Sequence, residues 1–178
     1  MSLSFDRLPF AVQFSLPVSL RAHVNTAHVW VTCCRITVLV NDPYNLQRFV
    51  EAQNPIYDHV RSELKRGCKT GHWMWFIFPQ IEGLGHSSMA RAFAIFSLDE
   101  ARAYLQHAVL GPRLIECTKL ITQASGRTIE QILGYPDDVK FRSSMTLFAQ
   151  AAADNQVFLE ALQKYFSGEP DRMTLERI

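Results

Sequence analysis

Lys69-Thr70-Gly71-His72-Trp73-Met74-Trp75-Phe76-Ile77-Phe78-Pro79-Gln80 is the stretch on which the fold class turns. The apolar run from Trp73 to Phe78 is short enough to be a buried helical segment or a central strand, and periodicity does not separate the two. A strand at 73–78 makes the protein α+β, whereas a helix stopping before Pro79 makes it all-α. Elsewhere from Asp42 onward no segment alternates apolar and polar residues with period two. The flanking signals are helical, so the expected fold is all-α, a compact orthogonal array of about seven to eight short helices.

Those signals recur in both directions from the aromatic run. Asp42-Pro43 reads as an N-cap with proline at the first helical position, and Leu46, Phe49 and Val50 follow at helical spacing, predicting a helix over 43–53. Asn54-Pro55 repeats the signal, Ile56, Val60 and Leu64 form the apolar stripe, and Gly67 is the stop. The loop Glu82-Gly83-Leu84-Gly85-His86-Ser87-Ser88 delivers a serine cap to a helix over 89–96. Ser97 with Glu100 makes a capping box for a helix to about His107, and Thr128 with Gln131 starts a short helix ending at Gly134. Between those two, Leu114, Cys117, Leu120 and Ile121 define a helix that ends before Gly126. Asp137 or Asp138 caps the run to Ala152, Asp154 opens the last long helix, and Asp171 caps a final turn through Leu175. There is no internal repeat and no low-complexity tract.

The 178 residues carry 18 Lys+Arg against 17 Asp+Glu and are 48% hydrophobic. That composition excludes a wholly disordered chain, and a net charge of +1 argues against a strongly basic nucleic-acid binder. No apolar run reaches the roughly 18 residues of a spanning helix, so no membrane partner is expected. Charge is unevenly placed. Residues 1–40 contain only Arg7, Arg21, Arg35 and Asp6, with none of the 8 glycines, and the other 15 basic and 16 acidic side chains follow. Residues 1–41 are therefore expected to be a leader outside the core, irregular or weakly ordered or adding a strand at 36–40, before a single helical domain over 42–178. Arg21, His23 and Arg35 interrupt any secretory-signal stretch. A transit peptide fits the arginines and early serines but lacks a helical amphipathic pattern. An over-long start or extension is the plainer reading. Four cysteines, two of them adjacent, are too sparse for a disulfide scaffold, so free thiols in a reducing cytosol are expected.

Several strings are distinctive together. Phe49-Val50-Glu51-Ala52-Gln53, His72-Trp73-Met74-Trp75-Phe76-Ile77-Phe78-Pro79-Gln80, Gly83-Leu84-Gly85, Asp99 through Leu105, Leu110-Gly111-Pro112-Arg113-Leu114 and Lys140 through Phe148 resemble domain-of-unknown-function family 1810 over residues 42–175. Phe93 stands where that family often has tyrosine. The resemblance implies a bacterial, all-α protein without an established activity. Members are sometimes labelled calpastatin, but such an inhibitor would be disordered and polar, which this composition contradicts.

Three stretches carry the candidate chemistry. Arg61, Lys65, Arg66 and Lys69 run into His72; Gly83, Gly85, Ser87 and Arg91 surround a helix start with free backbone N–H groups; Lys140, Arg142, Ser143 and Ser144 form a polar cluster in an apolar helix. If they converge, they make a basic pocket lined by Trp73 and Trp75 for a small phosphate- or carboxylate-bearing, nucleotide-like ligand. The plain structural alternative is that Lys65 and Arg66 complement a helix C-terminus, Ser88 caps, and Arg142 pairs with Asp138 at i,i+4. His72 is the candidate general base of a hydrolase or transferase acting on such a ligand, with Glu51 or Asp138 to orient it and Ser143 or Ser144 as nucleophile. A histidine beside tryptophans also serves as a packing residue, and no Gly-x-Ser-x-Gly, P-loop or His-Glu-x-x-His motif is present. Cys68 and His72 alone are a poor zinc signature, so no metal and no cofactor are expected. A protein-interaction module using exposed apolar surface is the remaining reading.

Overall fold

Trp73–Phe78 turns once as a helix. Ile77 N donates to Trp73 O at 3.2 Å and Phe78 N to Met74 O at 3.0 Å, giving α3 (Met74–Ile77), and Pro79 ends it. The α+β alternative with a strand at 73–78 is therefore corrected: among the described residues there is no strand, only an isolated parallel bridge between Ile81 and Ile95. The run is apolar all round because it is buried all round; Trp73, Met74, Phe76, Ile77 and Phe78 lie in the core and only Trp75 reaches solvent.

The structure, a computed structural model, describes residues 42–178. The expectations for residues 1–41 lie outside the described residues. Among the described residues nine further helices accompany α3: α1 (Gln47–Gln53), α2 (Tyr57–Arg66), α4 (Ser88–Ala92), α5 (Leu98–Gln106), α6 (Leu110–Gln123), α7 (Ile129–Leu133), α8 (Asp137–Ala151), α9 (Gln156–Phe166) and α10 (Arg172–Leu175). The fold is all-α as expected, with eight helices of five residues or more and two single turns, α3 and α10.

Helix α8 is the centre, packed by α5, α7, α9 and α10. Its Phe141, Met145, Leu147 and Phe148 are fully buried, and each such side chain contributes about 1.5 to 3 kcal/mol of transfer free energy. Aromatic rings join it to α3: Phe78 meets Phe141 edge to face at 5.0 Å, and Phe76, Phe93, Phe49 and Tyr104 continue the chain to α1 and α5.

Buried polar side chains tie the short helices where their own hydrogen bonds are too few to hold them. Gln53, 1% exposed, donates from Nε2 to Phe76 O at 2.7 Å and to Tyr104 Oη at 3.0 Å, linking α1, α3 and α5. Glu63 on α2 receives Trp73 Nε1 at 2.7 Å, Thr70 N at 3.0 Å, Gly71 N at 3.1 Å and the Thr70 hydroxyl, so one carboxylate organises the whole turn before α3. Arg48 donates to the carbonyls of Ala92 and Ala94 and to Glu100 at 2.6 Å.

Several boundary signals act later or otherwise than expected: α2 and α8 start behind Ile56 and Pro136 without a side-chain cap, and α9 starts behind Asn155. Asp42 accepts from Leu46 N at 2.8 Å and Gln47 N at 2.9 Å, but Asn45 takes φ 51°, so α1 begins at Gln47. The expected helix over 89–96 ends at Ala92, because Ile95 leaves it to exchange backbone bonds with Gln80 and Glu82. The boxes at Thr128 and the cap at Asp171 form as read.

Candidate functional site

The loop Gly83–Ser87 stands over the first turns of α8, and α10 closes the far side. Between them lies an open cleft of about 450 Å³, lined among others by Trp75, Gly85, Ser87, Tyr135, Lys140 and Met173. The loop folds tightly against α4 because residue 85 is glycine: a Cβ there would sit 2.5 Å from Ala90 Cβ. Ser87 caps α4, its hydroxyl accepting from Ala90 N at 3.1 Å.

A Lys–Asp–Lys group underlies the floor, which it reaches through Lys140. Asp137, at the start of α8, receives Lys69 Nζ at 2.6 Å on one oxygen and Lys140 Nζ at 2.7 Å on the other. Lys69 is almost sealed, its side chain 8% exposed, and its ammonium lies 5.1 Å from the Trp73 ring centroid. Lys140 rises into the cleft with its ammonium 4.7 Å over the Trp75 ring. Burial raises the Asp137 carboxyl, but the two ammonium groups outweigh it and hold the group below the usual carboxylate range. Lys140 uses one of its N–H groups on Asp137 and keeps others for a ligand. On the opposite wall Ser143 Oγ donates to Asp171 Oδ2 at 3.1 Å, while the same oxygen accepts from Thr174 N and Oγ1.

Of the twelve binding candidates read from the sequence, the cleft brings together Trp75, Gly85, Ser87, Lys140 and Ser143. Lys69 stands behind them, holding Asp137. Gly83 and Arg91 line a recess of about 20 Å³ on the other side of the loop, and the Arg91 guanidinium donates to His86 O. Trp73 is buried with its N–H on Glu63. Arg142 does not pair with Asp138; it reaches Glu169, to O at 3.0 Å and Oε2 at 3.2 Å. Ser144 is fully buried, and its hydroxyl has no hydrogen-bond partner among the described residues. His72 is exposed and lines neither the cleft nor the recess. Glu51, a candidate to orient it, accepts from Gln47 on the surface of α1.

Sequence reading missed the apolar rim. Tyr135 is 79% exposed and Met173 53%, and with Pro136 and Val139 they give the cleft most of its apolar wall. A Tyr-Pro-Asp string at a helix start was a local signal for the first part; nothing local places Met173. Cys117 is buried, and burial pushes its thiol up to about 12, which disfavours the thiolate. Among the described residues, no group of three His, Cys, Asp or Glu side chains could hold a metal ion, and no helix is long and apolar enough to cross a membrane.

The model of the family described as "Protein of unknown function (DUF1810)" matches residues 43–178. No curated protein matches the chain. A crystal structure of the conserved hypothetical protein Rv1873 from Mycobacterium tuberculosis is similar at 57% identity over 76% of this chain and 96% of that one, with a TM-score of 0.75. A family match over most of the chain, through every helix that builds the cleft, places this protein in the DUF1810 family.

Proposed function

We propose that the protein binds a small anionic, nucleotide-like ligand in the cleft between the Gly83–Ser87 loop and α8. The observation that carries this reading is Lys140: an ammonium anchored by Asp137, set over the half-buried Trp75 ring, in a cleft whose other walls are largely apolar. About 450 Å³ lies within the usual range for small-molecule sites, in which apolar walls bind and a few polar groups orient. A flat ring lies along Trp75 and Tyr135, and a phosphate or carboxylate meets the free N–H groups of Lys140. The free thiols of Cys68 and Cys117 support a reducing, cytosolic setting, and a small molecule rather than a nucleic-acid polymer is the partner this cleft fits.

Thermal shift against inorganic phosphate, adenosine nucleotides and aromatic carboxylates tests the reading. A ligand present at 100 times its Kd stabilises by about 2.7 kcal/mol, which raises the melting point by several degrees. Trp75→Ala and Lys140→Met are expected to abolish that rise while leaving the unliganded melting point within a few degrees of the parent. A flat panel, or a rise that survives both substitutions, contradicts the reading.

A further inference from the structure

We infer that the ligand of this cleft carries a single negative charge attached to a flat ring, an inference that rests on the cleft reading above and narrows it. The charges around the cleft set the limit. Among the described residues Lys140 is the one lysine or arginine lining it, and it already shares its ammonium with Asp137. Asp171 lines the opposite wall as a carboxylate engaged by Ser143 and Thr174. Lys69 adds charge behind the floor, but its ammonium is sealed against Asp137 and cannot reach a ligand.

Within the Lys69–Asp137–Lys140 group two lysines against one carboxylate leave one positive charge, which reaches the cleft at Lys140, and Asp171 on the opposite wall sets a negative charge against it. A second negative charge on the ligand finds no second lysine or arginine among the described lining residues, and it adds repulsion from the Asp171 carboxylate in the opposite wall. Arg91 does not relieve this. Its guanidinium is held on His86 O, and it lines the small recess beyond the loop and the face around Arg48 and Glu100, not the cleft. Ser87 and His86 add hydrogen-bonding groups on the loop side without adding a lysine or arginine. The remaining walls, from Leu84, Tyr135, Pro136, Val139 and Met173, reward apolar area instead of charge.

Two charge series of constant ring test this on the full chain: adenosine, 3′,5′-cyclic AMP, AMP and ATP; and 2-naphthamide with 2-naphthoate. Affinities come from tryptophan fluorescence and calorimetry at one ionic strength. The singly charged members, cyclic AMP and 2-naphthoate, are expected to bind at least about tenfold more tightly than their neutral counterparts, the value of one hydrogen-bonded charge, and at least as tightly as AMP or ATP. Lys140→Met is expected to erase that advantage. Val139→Lys, which adds a cation at a 48% exposed rim position, is expected to turn the preference toward AMP by about tenfold. Affinity climbing through AMP to ATP on the parent protein, or equal binding of neutral and charged members, overturns the single-charge inference and leaves the cleft reading standing. Absence of binding by every member of both series overturns the cleft reading and the inference with it.

Discussion

Glu63→Gln tests most sharply how the turn before α3 is held. The Glu63 carboxylate is fully buried and accepts from Thr70 N, the Thr70 hydroxyl, Gly71 N and Trp73 Nε1, with His59 Nε2 at 2.8 Å. Burial alone would raise this carboxyl, but the hydrogen bonds from Thr70, Trp73 and Gly71 outweigh it and bring it from 4.5 to about 2. The folded state therefore prefers the ionised form. The stabilisation is present above the ordinary carboxylate range and is lost as pH falls from about 5 toward 2. At about 1.4 kcal/mol for each tenfold change in proton affinity, it amounts to about 3 kcal/mol. The glutamine amide is nearly isosteric, yet its NH₂ faces donors and its single carbonyl cannot serve all of them. Its expected cost at pH 7 is about 3 to 5 kcal/mol, the usual loss when one side of a buried charged network is removed. Urea unfolding followed by tryptophan fluorescence at pH 7, 5, 4 and 3 measures both quantities. The parent is expected to lose stability more steeply than Glu63→Gln below pH 5, so that the two curves converge. A variant within about 1 kcal/mol of the parent at pH 7, or parallel curves down to pH 3, would refute the reasoning.

Three further substitutions or probes read other parts of the structure. Gly111→Ala places a Cβ 2.0 Å from the Leu105 carbonyl oxygen, so α5 and α6 must part; a loss of about 2 to 3 kcal/mol in urea unfolding is expected. Tyr104→Phe removes a hydroxyl that accepts from Gln53 and donates to Phe76 O, and should cost about 1 to 2 kcal/mol by the same assay. Alkylation at pH 8 followed by peptide mass mapping is expected to label the exposed Cys68 and spare the buried Cys117, whose thiol burial raises to about 12; equal labelling would mean that α6 opens readily.

The fold was legible in residues whose signals are local. The box at Thr128, the cap at Asp171 and the stop at Gly67 all act within a turn of themselves and appear where they were read, while the serine cap falls one residue early, on Ser87 instead of Ser88. Legibility failed where a distant partner outcompeted a near one. Ser97 and Glu100 form half a box: Ser97 accepts from Glu100 N, but the Glu100 carboxylate turns to Phe96 N and to Arg48 on α1. Arg142 ignores Asp138, four residues away, for Glu169 across α10's approach, 27 residues on. The same division runs through the candidate site. Trp73 and Trp75 are equivalent on paper; only packing shows that one is sealed against Glu63 and the other opens to the cleft. Lys69 and Lys140 were picked as cations, but no spacing rule links them through Asp137, since 68 residues separate Lys69 from its partner. Tyr135 has only the weak signal of a Tyr-Pro-Asp string and Met173 none, and both matter through exposure, which a sequence does not display.

The central claim is that a ligand enters the Trp75–Lys140 cleft, and residue-resolved NMR titration tests it most directly. With ¹⁵N-labelled full chain titrated with 2-naphthoate or cyclic AMP, the largest shifts are expected at the Trp75 indole N–H and at the backbone amides of Gly85, Ser87, Tyr135 and Lys140. The Trp73 indole N–H, bonded to Glu63, is expected to move little. Saturable shifts gathered instead around a second cleft of about 490 Å³ lined by Arg102, Gln150 and Asp154, or around Arg48 and Glu100, or no saturable shifts with either probe, would contradict the account.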